Sequence, residues 1–249
     1  MKNKFRNQIK ILNYIISTER FKLLFGIGII IAIYAACVLG ANTSNFIDSV
    51  FVAFQFSIFN TIMFALIFFN TLNTCSSFEK HFSFYIIRLK NKKNYMKEVI
   101  NNIVICNLFY LLLFFLCYFS FLLLLKNDFS IHKYINYDMN NFVYLIYYMI
   151  RYIILLMGIS VISGLVYMNF KTTITFLFDA LFMLGFMIGN VKTYPKNSYD
   201  FIFWNHFSPE SFSTFSLDVV SVVGVILLTQ IIIMASYYFT QKNKKMVIT

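Results

Sequence analysis

The chain has 249 residues, 59% of them hydrophobic and 12% charged, with a net charge of +11 and a mean hydropathy of +0.71. Soluble domains carry roughly 25% charged residues, so the composition excludes an ordinary soluble domain and implies a polytopic membrane protein. The basic balance does not indicate nucleic acid, because 16 of the 21 Lys and Arg fall in segments that hydropathy places on one side of a bilayer, the mark of orientation.

Residues 1–20 set Phe5, Ile9, Leu12 and Ile16 at i, i+4, i+7 and i+11 against Arg6, Lys10, Asn13, Ser17 and Arg20, which predicts an interfacial helix with its basic face in headgroups. As the start of a signal peptide, with Tyr34-Ala35-Ala36-Cys37 as a poor lipobox, the segment is too long and contains Glu19; the apolar run 21–41 can span by itself. The first span is expected over residues 23–39, followed by a short turn at 40–45 without Lys or Arg. A second span over 46–72 returns, carrying Asp48, Gln55, Asn60 and Thr61, more polar groups than a lipid-facing helix needs and suited to interhelical packing.

Residues 73–98 form the central loop. Phe78, Phe82, Tyr85, Ile86 and Leu89 share one helical face, with Glu79, Lys80, His81 and Ser83 mostly elsewhere, and Arg88, Lys90, Lys92, Lys93 and Lys97 follow as a basic cluster. The positive-inside rule assigns this loop to the cytoplasm. It either offers an amphipathic element to a cytoplasmic partner or rests on lipid headgroups as a topology determinant.

Further spans are expected over 100–125, 142–168, 173–191 and 219–240, with an outer loop at 126–141, a minimal inner turn at 169–172 and an outer segment at 192–218. The inner segments hold 16 Lys and Arg against 4 in the outer loops, so the expected architecture is all-α: one transmembrane domain over 1–249, six transmembrane helices and both termini cytoplasmic. No internal repeat is visible. Arg151 lies about 13 Å below the outer edge of its span and Asp179 about 18 Å below it, at 1.5 Å per residue. The short turn makes their helices antiparallel neighbours, so an intramembrane ion pair is expected; the competing reading lets both residues line a water-filled path for an anionic cargo. In the outer segment, Ser208-Pro209-Glu210 is a helix start, with Ser208 as N-cap and Pro209 at the first helical position. Short helices re-entering the outer leaflet fit this, as does an interfacial aromatic belt around Trp204.

His81, His132 and His206 are dispersed without metal-ligand spacing, so no metal site is expected. Cys37, Cys75, Cys106 and Cys117 lie in apolar spans or at a cytoplasmic end and read as small buried hydrophobes, with no disulfide framework. HExxH, GxSxG and paired-carboxylate arrangements are absent, and so is the GxxxxGK[ST] phosphate loop. The expectation is therefore a non-enzyme without its own ATPase site or cofactor; if powered, it takes the power from a separate chain that binds ATP.

An N-terminal interfacial helix, six spans, a cytoplasmic helix that begins at Glu79 and leads to Arg88 and Lys93, and Ser208-Pro209-Glu210 before the last span together resemble the small permease subunits of the second (drug, polysaccharide and antimicrobial-peptide) superfamily of ABC exporters. The resemblance is architectural and covers nearly the whole chain. It implies that residues 1–20 are an elbow helix and that residues 78–89 are a coupling helix set in a groove of an ATPase subunit, with Phe78, Glu79, Phe82, Ile86 and Arg88 as coupling residues. It further implies a second permease chain, alike or different, a bacterial plasma-membrane location, consistent with residues of AT-rich codons, and an amphipathic or antimicrobial-peptide cargo in bacteriocin or lantibiotic export or self-immunity. The alternative is a non-transporting membrane immunity or sensor protein. A secondary transporter is disfavoured, since inverted repeats and broken helices are expected there.

Overall fold

The computed structural model describes residues 2–39, 43–81, 92–126, 128–133, 139–192 and 215–242. They form α1 (Lys2–Ser17), α2 (Glu19–Cys37), α3 (Phe46–Gln55), α4 (Ser57–His81), α5 (Lys92–Leu125), α6 (Asn141–Lys192) and α7 (Phe215–Lys242). Among the described residues there is no strand beyond isolated bridges, and five helices, α2 and α4 to α7, are long and apolar enough to cross a membrane. The chain is thus an all-helical multi-pass membrane protein.

Thr18 separates α1 from α2. Its extended backbone (φ −66°, ψ 141°) ends the first helix, and its hydroxyl caps the second by accepting from Phe21 N. α1 docks on the bundle through Ile11 and Ile15, both buried, while Ile9 of the expected stripe is 41% exposed. The apolar sector of α1 is wide enough to be divided: Ile11 and Ile15 pack on protein, and the Ile9 edge turns outward, suited to lipid.

α2 packs against α5 through a small-residue stripe, Gly28, Ala32 and Ala35 at i, i+4 and i+7, all buried. A Cβ added at Gly28 would stand 2.7 Å from the hydroxyl of Tyr110, which donates to Leu24 O at 3.0 Å. Small residues allow this crossing, and the phenol adds the directional bond.

The expected second span is interrupted. Phe56, with φ −76° and ψ 118°, separates α3 from α4. Asn60 mends the break: its Nδ2 donates to Phe54 O at 2.8 Å, and its Oδ1 accepts from the Tyr152 hydroxyl at 3.0 Å. A carbonyl released from its helix inside hydrocarbon needs such a partner. The interruption lies among the rings of Phe54, Phe59, Tyr148 and Tyr152.

The 52 residues of α6 are two arms meeting at Lys171, whose φ of 63° and ψ of −169° are not helical. Ser163 Oγ donates to Asp179 Oδ2 across the bend at 3.1 Å, although a straight helix would hold residues sixteen apart about 24 Å from each other. The arms are therefore antiparallel, as the short turn at 169–172 predicted. Gly164 marks a close approach of the first arm to α5, since a Cβ there would meet Ile103 Cδ1 at 2.2 Å.

One end of the bundle is tied by backbone. Phe46 N donates to Asp128 O at 2.9 Å, Asn45 caps α3 by accepting from Ile47 N and Asp48 N, and the same side chain donates to Ser130 O at 2.8 Å. The start of α3 and the end of α5 are thus level.

Candidate functional site

Starting from that level end, α3 and α4 together run for about 50 Å and the 34 residues of α5 for a similar length, whereas a bilayer core is ~30 Å thick. Both are longer than the hydrocarbon is thick, and at the end away from Asn45 and Asp128 Phe78 near the end of α4 meets Tyr95 near the start of α5 with ring centroids 5.9 Å apart. The residues that join them, 82–91, lie outside the described part of the chain, and with them Phe82, Ile86 and Arg88. Ser208 and Pro209 lie outside it as well.

Of the five coupling residues expected from sequence, Phe78 and Glu79 are described, and both belong to α4. The expectation that Phe78 opens a separate helix facing a partner is corrected: Phe78 is fully buried. Apolar spacing marks a buried face without saying what buries it, and here α5 does. Glu79 is the polar member of the pair. Its Oε1 accepts from Lys171 Nζ at 2.6 Å and its Oε2 from the Tyr167 hydroxyl at 3.1 Å, so the end of α4 is fastened to the bend of α6.

The interior holds a second polar constellation. Arg151 is 2% exposed and pairs with Asp218, not with Asp179. Its guanidinium also lies 5.0 Å from the ring centroid of Tyr148 and 5.7 Å from that of Tyr147, within cation–π range. Asp218 falls at the end of the outer segment expected from sequence, where a carboxylate is in water. In the structure α7 begins at Phe215, and Asp218 stands buried in its first turn, where a carboxylate also meets the positive end of the helix dipole. Asp179 receives the Ser163 hydroxyl instead.

One helical turn or more along α4, Asn70 Nδ2 donates to Asn107 Oδ1 and Asn107 Nδ2 to Thr71 Oγ1, each at 2.8 Å and fully buried. Interhelical amide bonds of this kind fix the register of α4 on α5, at roughly 1 kcal/mol each. These asparagines were not singled out from sequence; a polar residue repeated at one helix face inside an apolar run was the available signal.

No family model, curated protein or solved structure matches the chain.

Proposed function

We propose that this chain is the membrane-spanning permease subunit of an ATP-driven exporter, with ATP bound and hydrolysed by a separate cytoplasmic subunit. One observation carries the reading: the end of α4 packs on the start of α5 through Phe78 and Tyr95, and that end of α4 is fastened through Glu79 to the bend of α6. A push on residues 82–91 would move two membrane helices and, through Lys171, a hairpin. That is what a subunit without a phosphate loop needs to receive work from another chain.

In this reading the two arms of α6 each cross the membrane, giving six crossings with both termini in the cytoplasm, as the Lys and Arg distribution favours. Two permease chains, alike or different, face each other in a bacterial plasma membrane. The cargo is an amphipathic or antimicrobial peptide, in export or self-immunity. The reading is tested by purifying the full chain with its native partners in mild detergent. Recovery of a phosphate-loop chain, with ATP hydrolysis that the chain alone lacks, supports it; hydrolysis by the single purified chain, or no such partner, counts against it.

A non-transporting membrane immunity or sensor protein is the second reading. It is favoured by the burial of Arg151 and Asp179, each 2% exposed, so that neither lines a path within one chain.

A further inference from the structure

Three amides deep in the apolar helices are paired across helices. Asn60 of α4 accepts from the Tyr152 hydroxyl of α6, and Asn70 of α4 donates to Asn107 of α5, all of them buried. Gln230 of α7 breaks the pattern. It is exposed, and among the described residues it has no hydrogen-bond partner. It lies twelve residues after Asp218 and nine before Phe239, the ends of the apolar stretch of α7, or about 18 Å and 14 Å at 1.5 Å per residue. Its neighbour Thr229 is level with Gly158, where a Cβ would meet Thr229 Cγ2 at 2.7 Å, near the middle of the first arm of α6. The Gln230 amide therefore faces hydrocarbon near mid-membrane, where acyl chains offer it no hydrogen bond and another helix would.

The surface around Gln230 is laid out for such a helix. Val220, Val223, Leu227, Gln230 and Met234 are all exposed and follow one another at alternating steps of three and four residues. This is the spacing of a coiled-coil seam with one polar core position, the device that fixes register and oligomeric state. On its other side Gln230 borders a groove of about 350 Å³ between α5, α6 and α7, lined by Leu108, Ile154, Gly158, Thr229 and Ile233 among others. The Thr229 hydroxyl is already taken by Val225 O at 2.8 Å. Acyl chains would cover seam and groove but leave the amide unpaired, so the amide decides the occupant. A second copy of this chain answers it. A twofold axis along the membrane normal sets the same residue of both copies at one depth, and a glutamine carries both a carbonyl and an NH₂ group, so two facing amides donate to each other.

We infer that two copies of this chain associate in the membrane through α7, with Val223, Leu227 and Met234 packed against their counterparts and the two Gln230 amides bonded to each other across the axis. The inference rests on α7 crossing the membrane and not on the exporter reading; within that reading it makes the two facing chains alike.

In the test, two fluorophore-tagged forms of the full chain are reconstituted together in phosphatidylcholine/phosphatidylglycerol vesicles over a range of protein-to-lipid ratios, and association is read by energy transfer. The parent should dimerise. Gln230→Leu, at an exposed position where leucine suits both helix and lipid, should raise the dissociation constant about tenfold or more through the lost interhelical amide bonds, while still running as a folded chain in gel filtration. A photo-crosslinker at Leu227 should join two copies, and one at Ile30, exposed on α2, should not. A monomer at every ratio, unchanged association of Gln230→Leu, or crosslinking from Ile30 and not from Leu227 overturns the inference. Capture from Leu227 in native membranes of another membrane protein in place of a second copy overturns the second copy as the occupant. None of these outcomes bears on whether a phosphate-loop chain binds at residues 82–91, so the exporter reading stands or fails separately.

Discussion

Arg151 and Asp218, sixty-seven residues apart, form a buried ion pair between the first arm of α6 and the first turn of α7. α7 packs against α6, so this pair helps to hold the last helix to the rest. Removing one partner leaves a charge in the interior, at about 3–5 kcal/mol, whereas removing both avoids that penalty. Arg151→Gln and Asp218→Asn should each lower the folded yield in fluorescence-detected gel filtration, and the double variant should recover much of it. Asp179→Asn should stay near the parent, because an amide oxygen can still accept from Ser163. If Asp179→Asn, and not Asp218→Asn, rescued Arg151→Gln, the assignment would be reversed.

Asn60 and Tyr152 make the break at Phe56 tolerable. Tyr152→Phe should lower the unfolding midpoint by the equivalent of about 1–3 kcal/mol, since it leaves the buried Oδ1 of Asn60 without a donor. Adding Asn60→Leu to Tyr152→Phe should cost further, because Phe54 O then loses its donor as well. An unchanged midpoint in Tyr152→Phe would mean that the bond is not needed at the break.

Lys171 does two things that substitution separates. Its φ of 63° favours glycine, and its ammonium holds Glu79. Lys171→Ala and Lys171→Gly lose the ion pair alike, a partly exposed one worth about 0–1 kcal/mol, but only glycine relieves the backbone, by roughly 1–3 kcal/mol. Lys171→Gly should therefore melt above Lys171→Ala. The opposite order would show that the bend adopts another conformation.

At the other end, Asn45 caps α3 and crosses to Ser130. Asn45→Ala should cost about 0.5–2 kcal/mol through the cap alone, and Asn45→Asp should restore the cap but not the donation to Ser130. Equal stability of the alanine and aspartate variants would remove the cap from the account.

Much of this architecture was legible because the bilayer constrains it. Long apolar runs identified the helices, and four residues around Lys171 identified the hairpin, since antiparallel arms need no more. The break at Phe56 left no such trace: Gln55-Phe56-Ser57 contains neither Gly nor Pro, and hydropathy runs on through it. Asn60 was read as a packing residue when it also holds a released carbonyl. Asp218 was misplaced because a carboxylate beside an outer segment reads as solvated, and only the buried start of α7 reveals it as the partner of Arg151. Phe78 was placed on a face for a partner and is buried against α5, because periodicity does not distinguish a neighbour within the chain from one outside it; in α1 the expected stripe of Phe5, Ile9, Leu12 and Ile16 missed Ile11 and Ile15, the residues that the bundle buries.

In the proposed function the segment joining α4 to α5 receives force from an ATPase subunit. Photo-crosslinking from Arg88 and, separately, from Phe82 in native membranes tests it most directly, with a crosslinker at Lys133 in the opposite loop as the reference. Both central positions should capture a soluble chain carrying GxxxxGK[ST], and Lys133 should not. Glu79→Gln/Lys171→Gln should keep that crosslink while uncoupling ATP hydrolysis from transport or protection. Capture of no phosphate-loop chain from either central position, with the protein present and folded in the membrane, would contradict the claim.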